Sequence, residues 1–85
     1  MVSLVPNPQA DRNQRVQHKL TLAIGELPWV ASVEVRVYDD SGVLEGEAWV
    51  LPQDGINIVG RSDEVVARAV TAHPGLASLR VQFDV

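Results

Sequence analysis

Hydrophobic positions along the chain change period three times. Val16, Leu20, Ala23, Ile24 and Leu27 recur at steps of three and four, the spacing of an amphipathic helix, while Arg12, Arg15, Gln17 and Lys19 fall largely outside that stripe. Asp11 or Asn13 is a candidate N-cap, and Gly25 and Pro28 predict a stop near residue 26. The period then drops to two. Val33, Val35 and Val37 face one way, and Ser32, Glu34, Arg36 and Tyr38 the other, as in a half-buried strand. The run 39–42, Asp-Asp-Ser-Gly, reads as a turn, with Gly42 suited to positive φ. In the second strand Leu44, Ala48 and Val50 are assigned to the core, and Glu45, Glu47 and Trp49 to the opposite face. Gly46 interrupts this strand as a candidate bulge. Residues 52–60 are rich in turn formers. Ser62 is then a candidate N-cap, with Asp63 and Glu64 in the first turn, where the helix dipole favours negative charge. Val65, Val66, Ala69, Val70 and His73 form a second helical stripe, ended by Pro74 and Gly75. A final alternating run places Leu79, Val81, Phe83 and Val85 on one face and Ser78, Arg80, Gln82 and Asp84 on the other.

The predicted order is α-β-β-α-β. Residues 1–10, with prolines at 6 and 8, read as an N-terminal tail or linker, and residues 11–85 as one domain. The expected fold is α+β, a ferredoxin-like three-stranded mixed sheet with both helices on one face. The first two strands form an antiparallel hairpin. The helix that follows serves as a crossover, and the third strand is expected beside the first and parallel to it.

Composition narrows the chemistry. The chain has 85 residues, a hydrophobic fraction of 46% and no cysteine, so it is one ordered domain without disulfides, thiolate metal sites or a cysteine nucleophile. A net charge of −4, with Lys19 the only lysine, argues against nucleic acid as a partner. No apolar run approaches the roughly 18 residues of a membrane span, and the first ten residues lack the features of a signal peptide. The reading is a soluble chain, which is also compatible with a piece cut from a membrane protein.

If both helices cover one sheet face, the other is bare. It carries Glu34, Arg36, Tyr38, Glu45, Glu47, Trp49, Arg80, Gln82 and Asp84. A solvated face with cross-strand ion pairs would gain at most about 1 kcal/mol per pair. Trp, Tyr and Arg set among acids have instead the composition of an interface, and a domain this small has only a modest core of its own. The expectation is a homodimer formed through this face, with Arg36, Trp49 and Arg80 at the interface.

These residues resemble a known family. The order α-β-β-α-β, with Leu-Pro-Trp-Val at 27–30 leading into the first strand, Ser41-Gly42 at the turn, and Gly46, Glu47, Ala48, Val50 and Pro52 in the second strand, resembles the cytoplasmic C-terminal domain of cation diffusion facilitators. The resemblance covers about residues 12–85. It implies a non-catalytic dimerisation and regulatory domain on the cytosolic face of a divalent-cation efflux transporter. Its partners would be a second copy and the membrane part of the same chain. The resemblance also implies metal sensing, with zinc or another divalent ion bound at or near the dimer interface through His and Asp. Carried over by position, the family's first-strand His falls near Val33 or Glu34, its second-helix His near Asp63 or Glu64, and its final His-x-Asp on Gln82 and Asp84. The candidate metal ligands are therefore Glu34, Asp63 and Asp84, an all-oxygen set better suited to hard ions than to zinc.

Other readings stay open beside this one. His18 and His73 lie on different helices with no paired ligand spacing, and read as surface or cap histidines. An acylphosphatase-like anion cradle would draw on Gly55, Asn57, Gly60 and Arg61, but Asp63 and Glu64 already occupy that helix start, so no enzyme is expected. A small-ligand regulatory module of the ACT type, or a plain dimeric interaction domain, are the alternatives. An ACT-type chain usually opens on a strand, whereas this one opens on prolines and a helix.

Overall fold

Pro8 opens the first helix. Proline suits that position because its missing N–H would be unpaired there in any case and its φ is already helical. In the computed structural model, which describes residues 8–84 with side chains from residue 12, α1 spans Pro8–Gly25. It therefore starts before Asp11 and Asn13, so neither caps it, and the last three residues of the expected tail belong to the helix. The rest of that tail lies outside the described residues. Val16, Leu20 and Ile24 are buried along one side of α1, and Leu27 is buried just beyond its end.

Strand β1 runs Val30–Asp40 and pairs antiparallel with β2, Val43–Pro52. The hairpin closes through Ser41 and Gly42, both at positive φ (53° and 85°), the backbone of a two-residue primed turn. Asp39 fixes it, its Oδ1 accepting the Gly42 N–H at 3.0 Å. Gly46 is not a bulge. Pairing is continuous from Tyr38↔Glu45 to Val33↔Val50, and irregularities fall instead between Val30 and Ser32 and, against the third strand, between Leu44 and Glu45. Gly46 lies on the inner face, where a Cβ would come within 3.1 Å of Leu79 Cδ1 and 3.4 Å of the Arg36 carbonyl oxygen. The position is a site of close packing, not a break in the ladder.

Helix α2, Arg61–Ala72, begins at Gly60, whose left-handed backbone (φ 79°) forms the cap without a side-chain hydrogen bond. Ser62 is consequently inside the helix and not its cap, while Asp63 and Glu64 do sit in the first turn. Val65 and Ala69 are buried, but Val70 is 40% exposed and lies outside the core. The His73 N–H closes the helix on the Ala69 carbonyl at 2.9 Å.

Strand β3, Leu76–Phe83, pairs in parallel with β2, giving the order β1-β2-β3. The expectation that it lies beside β1 is overturned. A strand joined to β2 through one returning helix must run parallel to β2 and hence antiparallel to β1, and the shortest crossover leaves it next to β2. In this order Glu47 on the central strand lies between Arg36 and Arg80.

Both helices cover the same face, as expected. Helix α1 packs over β1, α2 over β3, and the two helices touch each other. One core joins Val16, Leu20, Ile24 and Val65 to Val35, Val37, Ala48 and Val50 of the sheet. Arg68 ties the helices together, donating to the Ala23 carbonyl at 3.0 Å and pairing with Glu26 at 3.1 Å. The Gln17 side chain accepts the Val37 N–H at 2.9 Å, so α1 also covers part of the outer edge of β1. The fold is the ferredoxin-like α+β arrangement that the patterning implies.

Candidate functional site

The helix-free face of the sheet is built in rows. Strand alternation turns every second side chain outward, and the register aligns them as Tyr38–Glu45–Ser78, Arg36–Glu47–Arg80 and Glu34–Trp49–Gln82. Every one of these residues is exposed or half-buried. The middle row reads positive, negative, positive. Among the described residues, ion pairs within 4 Å join Arg12 to Asp39, Arg61 to Glu64 and Arg68 to Glu26, all away from this face. The cross-strand pairs of a purely solvated face are therefore not formed there. Trp49 has one specific contact, the Arg36 guanidinium 5.7 Å from its ring centroid, a cation–π arrangement. Tyr38, Glu45, Gly46, Glu47, Ser78 and Arg80 line a hollow of about 110 Å³ on this face.

The interface candidates Arg36, Trp49 and Arg80 thus share one surface, in adjacent rows. The metal candidates are dispersed. Glu34 is on the outer side of the edge strand β1. Asp84 follows the last residue of β3, its N–H donating to the Val50 carbonyl at 2.9 Å, two strand spacings or about 10 Å across the sheet from β1. Asp63 is exposed on α2, in the other layer. Among the described residues, no three His, Cys, Asp or Glu side chains are grouped to hold a metal ion. Glu34, Asp63 and Asp84 are not brought together as a metal site within one copy. His18 is exposed on α1, and His73 lines a hollow of about 210 Å³ beside Arg12, Asp39 and Leu44.

The loop before α2 is not arranged as an anion cradle. Asn57 Oδ1 accepts the Val59 N–H at 3.0 Å, and Arg61 pairs with Glu64 at 2.9 Å while its guanidinium lies 5.3 Å from the Trp29 ring centroid. Arg61, and after it the Trp29 indole, hold the Glu64 carboxyl below the ordinary carboxylate range. The buried Trp29 Nε1 nevertheless completes no well-formed hydrogen bond. Sequence reasoning passed over Trp29, which is 4% exposed and packs its ring 6.2 Å from that of Phe83. Its place just before the first strand was the only available signal. The hollow on the open face was also missed, because it depends on β3 lying beside β2.

No family model and no curated protein matches the sequence. Solved structures do. The chain superposes on a double variant of the MamM CTD with a TM-score of 0.72 and 19% identity, covering 87% of this chain and 93% of that one. The fold is that of the MamM CTD. A MamM CTD variant in its zinc form aligns with a TM-score of 0.71, and the copper form with 0.70. Both are 19% identical and cover 87% of this chain and 86% of theirs. No helix among the described residues is long and apolar enough to cross a membrane.

Proposed function

We propose that this chain is a cytosolic, non-catalytic regulatory domain of a divalent-cation efflux transporter of the cation diffusion facilitator family, and that it works as a homodimer. The observation that carries this reading is the shared fold over 87% of the chain with C-terminal domains of MamM, a member of that family. Structures of that domain in zinc, copper and manganese forms support a role connected with divalent cations. The sequence resemblance, in Leu27–Val30 and Gly46–Pro52, points the same way.

Dimerisation is the main role, because a helix-free face with unpaired charges and one half-buried tryptophan is suited to a second copy. Metal sensing is an additional proposal resting on Glu34, Asp63 and Asp84. It requires donors from both copies, and its all-carboxylate chemistry favours a hard ion such as manganese over zinc. Thermal melting with and without each ion tests it. A rise in melting temperature with manganese that Asp84→Ala abolishes supports metal sensing through this residue. Unchanged melting with both ions leaves dimerisation as the domain's role and removes the metal part.

A further inference from the structure

We propose that two copies meet across a two-fold axis parallel to the strands and passing between β2 and β3, so that Arg80 of each copy seats against Glu47 and Glu45 of the other. The inference rests on the homodimer reading above and adds its register.

The first constraint is direction. Helix α1 runs antiparallel to β1: Arg12 pairs with Asp39 at 2.7 Å, Gln17 bonds Val37, and Gly25 lies opposite Val33. Both copies of a C-terminal domain join the rest of their chains at the start of α1, which lies at the hairpin-turn end of the sheet. A two-fold axis across the strands would send the two starts to opposite ends. An axis parallel to the strands keeps them together.

The second constraint is charge. Arg36, Glu47 and Arg80 are register partners at one height on three successive strands. An axis lying on β2 would stack Glu47 on Glu47 and Arg36 on Arg80, which is repulsive. An axis between two strands lays positive on negative, and there are two such positions. Between β1 and β2 the pairing cation would be Arg36, whose guanidinium is already engaged over the Trp49 ring at 5.7 Å. Between β2 and β3 it is Arg80, which makes no ion pair among the described residues. Arg80 also borders the hollow of about 110 Å³ whose other side chains, Tyr38, Glu45, Glu47 and Ser78, offer oxygen acceptors to an incoming guanidinium. The same axis sets Trp49 against Gln82 of the second copy.

Charge reversal with mixing tests this register. Arg80→Glu and Glu47→Arg are each expected to weaken the dimer at least about tenfold in sedimentation equilibrium, with circular dichroism confirming that both remain folded. An equimolar mixture of the two is expected to regain association, as a heterodimer. Within either variant residues 47 and 80 carry the same charge, so the regained pairing can come only from contacts between copies. Arg36→Glu replaces Arg80→Glu in the control mixture. Association restored by Arg36→Glu and not by Arg80→Glu places the axis between β1 and β2 and overturns the proposal. Single variants that dimerise as the wild type does also overturn it, while the homodimer reading stands. A wild-type chain that is monomeric at every concentration removes the homodimer reading, and this register with it.

Discussion

Leu20→Ala is expected to lower the stability of the domain by about 3 kcal/mol and its melting temperature by roughly 15 °C. Leu20 has no solvent exposure and sits in the middle of α1, between Val16 and Ile24 on the buried stripe. Truncation removes the transfer energy of the side chain and leaves a cavity that its neighbours fill only in part. The loss is large for a chain of 85 residues, because a domain of this size has little stability to spare. Thermal melting or urea denaturation measures it. A drop below about 1 kcal/mol would mean that α1 is not anchored through this stripe.

Trp49→Ala should behave in the opposite manner. Trp49 is half-buried on the outer face and outside the core, so the monomer's melting temperature should hardly change. The dimer should weaken by about 2 kcal/mol, roughly 30-fold in dissociation constant, because a large aromatic anchor near the centre of an interface carries a disproportionate share of its energy. Sedimentation equilibrium of the variant gives this number directly. An undiminished dimer would take Trp49 out of the interface, and a collapse of monomer stability would make it a core residue instead.

Much of the architecture was readable in the residues. The step of three and four through Val16, Leu20 and Ile24 gave α1, and the alternation through Val33, Val35 and Val37 gave β1, because burial on one side imposes those periods. Ends and neighbours were less readable. Pro8 starts a helix that looked capped at Asp11 or Asn13, and Gly60 caps α2 through its backbone where Ser62 had offered a hydroxyl. A cap depends on backbone angles that residue type only biases. Gly46 resembled a bulge because a glycine in a strand signals either an irregularity or a close approach, and the Leu79 contact that decides between them is not local.

Strand order was the most consequential departure. Alternation assigns a face to each residue but does not say which strand is next to which. Glu34, Arg36, Glu47, Trp49 and Arg80 were therefore correctly placed on one surface, while the charge row Arg36–Glu47–Arg80 emerged only once β2 was central. The candidate metal ligands show the complementary weakness of positional transfer. Glu34, Asp63 and Asp84 were matched by place along the chain, and the fold distributes them over an edge strand, the end of β3 and a helix.

The central claim is that the helix-free sheet face is where two copies meet. Because the chain has no cysteine, Gln82→Cys on the outer face of β3 and Leu22→Cys on the exposed back of α1 each introduce a single thiol for a spin label. Distances between labels in the dimer, measured by pulsed electron resonance, compare the two surfaces directly. Facing sheets lie about 10 Å apart, so the label at Gln82→Cys should give a separation below about 20 Å, and the label at Leu22→Cys a clearly longer one. A short distance from the helix-side label with none from the sheet-side label would contradict the account.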